Sequence, residues 1–138
     1  MVWRMTPMKK TEDSEKITIN LGYVDLGRID LMVRDGFYSN RSDFIRTAIR
    51  NQLTAHADVL ARSIERSTFE LGLRDITRAE LEAARAGGEK LTLHVVGLAR
   101  IAPDVTADLA LAAIGSLTVL GALQAPSEIR AALADRIR

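Results

Sequence analysis

The sequence predicts an α+β chain whose first half is a strand followed by helices and whose second half repeats a strand-helix unit. Three observations carry this. Residues 16–21 alternate polar and apolar side chains with period two, so Ile17, Ile19 and Leu21 share one face and Lys16, Thr18 and Asn20 the other. From Asp25 to about Arg66 apolar residues recur at helical spacing. Beyond Lys90 the run from Leu93 to Leu98 nearly repeats between Leu117 and Ala122, with Pro103 and Pro126 in matching places after a one-residue slip. The expected organisation is an arm over 1–15, a strand-helix-helix unit over 16–66, a helical connector over 67–89 and a C-terminal βαβα repeat over 90–138 that serves oligomerisation.

Residues 1–15 mix Lys9, Lys10, Glu12, Asp13 and Glu15 with Thr, Ser and one Pro, without periodicity, and read as a flexible arm. Trp3 in that arm reads as lightly docked, and Lys9 and Lys10 as a solvated pair within reach of a phosphate. The strand at 16–21 has an apolar face, two bare edges and no candidate partner nearby, so the same strand of a second copy is its expected partner. After a Gly22-Tyr23 turn a helix starts at Asp25, with Leu26, Ile29, Met32 and Val33 on one face and Gly36 as its stop. Asn40 caps a second helix, and Asp43, three residues on, is placed to return the hydrogen bond. The buried side of that helix is Phe44 or Ile45, Ala48, Ile49 and Leu53, a phase that continues through His56, Leu60 and Ile64 and predicts an extension past the first domain.

Residues 67–76 are ambiguous, because Phe69, Leu71 and Leu73 alternate like a strand in a composition that suits a helix. Thr77 and Glu80 form a capping box for a helix from Arg78 to Ala86, closed by Gly87 and Gly88. In the repeat, helices are expected over 104–114, stopped by Gly115, and over 127–137, with Asp104 or Thr106 and Ser127 as caps. Strand, helix, strand with short connections favours a parallel pair and a right-handed crossover. Two units fall short of the roughly three that bury a continuous core, so this half is also expected to be completed by another subunit.

A hydrophobic share of 47% supports packed cores, and the absence of cysteine excludes disulfides, thiol nucleophiles and thiolate metal sites. No apolar run approaches the roughly 20 residues of a membrane helix, and residues 1–16 lack the apolar segment of a signal peptide. A cytoplasmic, nucleoid-associated location without membrane contact is the expectation. A net charge of +1 decides nothing about polyanions, because binding needs a local patch. His56 lies on an apolar helical phase and reads as a satisfied interface residue, while His94 pairs with Thr118 by repeat position on the more polar strand face. Gly97 and Gly121 read as sites of close packing, and no nucleophile-base pair is present, so no catalytic residues, metal or cofactor are expected.

If two copies pair antiparallel, Ile17, Ile19 and Leu21 cover a core with Leu26, Ile29, Ile45 and Ile49 from both helix pairs. The outward side chains then form a two-stranded ribbon able to enter the major groove. There Lys16 can donate to guanine, Asn20 can pair with adenine, and Thr18 can bond or pack against a thymine methyl. At the start of the second helix, free N–H groups at Arg41, Ser42 and Asp43 point at a prospective phosphate.

Over residues 16–53, the alternating strand, the Gly36 turn, and Asn40-Arg41-Ser42-Asp43 followed by Ile45-Arg46 resemble the ribbon-helix-helix family of bacterial DNA-binding proteins, the CopG-like group in particular. The resemblance implies an intertwined homodimer on double-stranded DNA, with Lys16, Thr18 and Asn20 as base readers and Asn40, Arg41 and Ser42 as phosphate anchors. It implies a transcriptional repressor or an antitoxin with a toxin partner. Only one of the three reading positions is basic, and the C-terminal repeat has no counterpart in the resemblance. A third reading is an assembly protein that uses the repeats to form tetramers or larger scaffolds.

Overall fold

The computed structural model describes residues 14–138, and the expected arm lies outside the described residues but for its last two positions. The chain divides into two compact units, Lys16–Arg62 and one that includes Ser63–Arg138.

In the first unit residues 16–22 are in neither helix nor strand, so the strand expected over 16–21 is not formed within one chain, where it has no ladder partner, and they lead into α1 (Tyr23–Arg34) and α2 (Arg41–Ala55). Helix α1 begins two residues before Asp25 because Gly22 takes the extended N-cap conformation and Asp25 falls in the first turn, where a carboxylate suits the exposed N–H groups. It ends in a Schellman motif: Phe37 N–H reaches the Met32 carbonyl, Gly36 N–H reaches that of Val33, and Gly36 has φ 88°. The expected uninterrupted helix to Ile64 is broken at His56, which caps α2 with φ −105° and ψ 17°, and α3 (Ala57–Arg66) follows. His56 is exposed and its ring meets Gln52 Nε2 at 3.1 Å, so it is satisfied locally and not within an apolar interface of this chain.

The second unit is a three-stranded parallel sheet, β1 (Glu70–Ile76), β2 (Leu91–Ile101) and β3 (Ile114–Gln124), in the order β1-β2-β3. Helices α4 (Arg78–Ala86), α5 (Ala107–Ala113) and α6 (Ser127–Ala132) follow the strands in turn. The stretch 67–76, placed with a helical connector on sequence, therefore supplies a strand: β2 offers it a ladder, and Ile76 is fully buried at its end. Three strand-helix units, not two, build the core. Ile76, Leu93, Ile101, Ile114 and Leu117 from the strands meet Leu81, Leu109, Ala110 and Ile129 from the helices and Leu133 at the C-cap of α6.

Element ends depart from expectation where packing outweighs local signals. Helix α5 begins only after Thr106, whose hydroxyl accepts from Leu109 N–H at 3.2 Å, and Gly115 lies inside β3 instead of stopping a helix. The α5 carbonyls at its end are taken by Lys90 Nζ, at 2.9 Å from Leu111 O, and by Arg136 Nη1, at 2.7 Å from Leu111 O. Helix α6 is capped without a side chain, Pro126 and not Ser127 standing at its N-cap, and it stops at Ala132. The chain then turns so that Ile137 bridges Leu117 in parallel, extending the ladder beyond β3.

Gly72, Gly97 and Gly121 stand side by side across the three strands, at φ 115°, 135° and 123°. A Cβ on Gly97 would overlap the Gly72 carbonyl, and one on Gly121 would overlap the Gly97 carbonyl. The row is a shared kink that lets each backbone approach its neighbour, which only glycine permits.

Candidate nucleic-acid interface

The geometry begins at the N-terminus of α2. Asn40 is extended, with φ −167° and ψ 178°, and its Oδ1 accepts from Asp43 N–H at 2.8 Å. Asp43 returns a bond through Oδ2, but to Ser39 N–H at 2.9 Å and not to Asn40, so the reciprocal cap spans one residue more than expected. Because Asp43 N–H is spent on this cap, the anticipated set of three free N–H groups reduces to those of Arg41 and Ser42. Tyr38 and Phe44 bracket the cap with an edge-on ring contact, centroids 4.9 Å apart and planes at 78°.

Arg41 is held from the other side. Its Nε and Nη2 donate to the two carboxylate oxygens of Asp30 on α1, each at 2.8 Å. These bonds hold the Asp30 carboxyl below its ordinary range and raise Arg41 further, with both side chains about half exposed. The fork ties α1 to α2 and fixes the guanidinium beside the helix start, leaving Nη1 outside the pair. Sequence spacing gave no signal for Asp30, which sits 11 residues before Arg41 in an ordinary polar position of α1.

Lys16, Thr18 and Asn20 are all exposed on the segment before α1, and so are Asn40, Arg41 and Ser42. The expected core residues are less enclosed than a core requires. Ile17, Ile19 and Leu21 are exposed by 73%, 56% and 39%, Ile49 is exposed by 48%, Leu26 and Ile45 are half-buried, and only Ile29 is buried. Between α1 and α2 an apolar hollow of about 400 Å³ is lined by Ile29, Met32 and Phe44, with Asp25 and Arg28 at its rim. Lys16–Arg62 carries seven basic and five acidic residues, a local net charge of +2. Among the described residues no group of three or more His, Cys, Asp or Glu is placed to hold a metal, and no helix is long and apolar enough to cross a membrane.

Lys16–Arg62 thus presents an exposed polar segment, a capped helix start and exposed apolar side chains. The family model for the ribbon-helix-helix transcriptional regulator family matches residues 12–130, most of the chain, and the protein belongs to that family. The family is one of transcription regulators, not of enzymes. The match runs well past residue 53, so the three-stranded sheet, which the sequence resemblance left unplaced, lies within the family pattern. No curated protein and no solved structure matches the chain.

Proposed function

We propose that the protein is a sequence-specific repressor that binds double-stranded DNA as a homodimer, with residues 16–21 of two copies paired antiparallel and inserted into the major groove. The observation that carries this reading is the missing core of Lys16–Arg62, where only Ile29 is buried. A unit of that size cannot remain folded while Ile17, Ile19, Ile49 and Leu53 face water. A second copy supplies what is lacking: its Ile17, Ile19 and Leu21 are of the right chemistry for the hollow beside Ile29, Met32 and Phe44. Pairing 16–21 with itself also satisfies the backbone groups on one edge of each strand.

In that arrangement Lys16, Thr18 and Asn20 of both copies face outward together and read base edges. The N–H groups of Arg41 and Ser42, with Arg41 Nη1 and the Ser42 hydroxyl, receive a phosphate oxygen and set the register of the ribbon in the groove. Occupying the groove excludes other proteins from the site, which is repression in its simplest form. The antitoxin alternative calls for a segment that orders on its partner, whereas Ser63–Arg138 has a packed core of its own, which favours the repressor reading.

The test is the pair of substitutions Thr18→Ala and Asn20→Ala in one chain, assayed against an operator obtained by selection from random DNA. Binding should fall at least a hundredfold, on the order of two lost base contacts, while the dimer mass is retained. Unchanged affinity and unchanged sequence preference would remove the ribbon from the recognition surface.

A further inference from the structure

The helices of the sheet unit all contribute to one core, and that core takes its strand residues from one side of the sheet: Leu93, Ile101, Leu117 and Ile76. The opposite side carries exposed apolar residues. By register, Leu71, Val96 and Leu120 form one row across the three strands, and Leu73, Leu98 and Ala122 form the next. Leu71, Leu73 and Leu120 are exposed by 72%, 56% and 55%, and Val96, Leu98 and Ala122 are half-buried. The rows end in polar groups. Asp75 and Arg100, register partners, are paired at 3.1 Å at one end, and His94 Nδ1 meets the Ser67 carbonyl at 3.0 Å at the other. Parallel sheets are found almost only with both faces covered, and these two apolar rows are what a second layer would cover.

We infer that this face packs against the same face of the second copy within the ribbon dimer, forming a two-sheet sandwich. The inference rests on the homodimer proposed above. Area decides the occupant. Three strands about 4.8 Å apart and seven residues at about 3.3 Å each give a face on the order of 300 Å², well under the about 800 Å² per partner of an independent interface. The contact is too small to recruit a free partner. It suffices between copies already joined at residues 16–21, where tethering raises the effective concentration to the order of millimolar. The face is also self-complementary: it is apolar at its centre, and its rim charges are already neutralised within each copy, so a two-fold repeat opposes no like charges.

The chain has no cysteine, so Leu98→Cys, at the centre of the second row, introduces a unique thiol. Facing sheets lie about 10 Å apart, within reach of a short bismaleimide. In the full-length protein Leu98→Cys should give mostly covalent dimer, independent of dilution, and Arg85→Cys on the exposed side of α4 should give little. Adding Leu71→Glu and Leu73→Glu should reduce the Leu98→Cys product at least tenfold while light scattering still reports a dimer. A dimeric protein in which Leu98→Cys crosslinks no better than Arg85→Cys overturns the sandwich and leaves the ribbon intact. A product that falls away on dilution overturns it in favour of a contact between dimers, and a monomeric native protein overturns the sandwich and the ribbon dimer together.

Discussion

Thr68 occupies a place that the chain elsewhere gives to glycine. Three helix ends share one hydrogen-bond pattern. Gly36, Gly88 and Thr68 each sit at its left-handed position, with φ 88°, 73° and 54°. For a β-branched residue that conformation is strained, so Thr68→Gly should raise stability by about 1 kcal/mol in denaturant titration. The glycine row predicts the opposite for its members. Gly97→Ala and Gly121→Ala meet a neighbouring carbonyl and should cost more than Gly72→Ala, which meets nothing and carries only the backbone penalty of about 1–3 kcal/mol. Equal losses at all three would show that the close approach between strands is unimportant. Arg74 lies over Glu80, Nη1 to Oε1 at 2.9 Å, and this bonding holds the Glu80 carboxyl below its ordinary range. A depressed carboxyl stabilises above its unfolded value and ceases to do so as pH falls through the folded one. Thermal melts of Glu80→Gln should therefore lose the part of the acid-induced decline that begins in the ordinary glutamate range.

At the scale of elements, the Asn40 and Thr77 caps were readable, the Gly115 stop and the Ser127 cap were misread, and pairing was not readable. Helix α4 lies where the Thr77 box and Gly87-Gly88 place it, because each signal acts within one helical turn. The Asn40 cap is likewise local. Strand β1 was ambiguous for two physical reasons: its ladder partner lies some 25 residues on, and the helix end before it is closed by a threonine, which is no stop signal. Similarly, the sequence marks Arg41 at the start of α2, but its fork to Asp30 depends on how α1 meets α2. That fork also makes a prediction for the element pair. Asp30→Asn removes the carboxylate that fixes the guanidinium beside the helix start, so DNA affinity should fall severalfold at unchanged helicity; unchanged or higher affinity would mean that Arg41 meets phosphate without the fork.

For the molecule as a whole, exposed apolar residues among the described ones gather in two places, on Lys16–Arg62 and on the side of the sheet away from the helices. In the first, Ile17, Ile19 and Leu21 could be picked out from their spacing. The second could not, since recognising it requires the register that sets Leu71, Val96 and Leu120 in a row. If phosphate contacts contribute, operator affinity should fall steeply with salt, with a log-log slope of several units, and a flat response would speak against binding to DNA altogether. The most direct test of the central claim, that a second copy supplies the missing partner of residues 16–21, is an isotope-filtered NMR experiment on a mixture of labelled and unlabelled chains. Antiparallel pairing predicts intermolecular Hα–Hα contacts centred on residues 18 and 19, together with contacts from Ile17 and Ile19 to Ile29 and Met32. Their absence in a folded protein, or their appearance only within one chain, would contradict it.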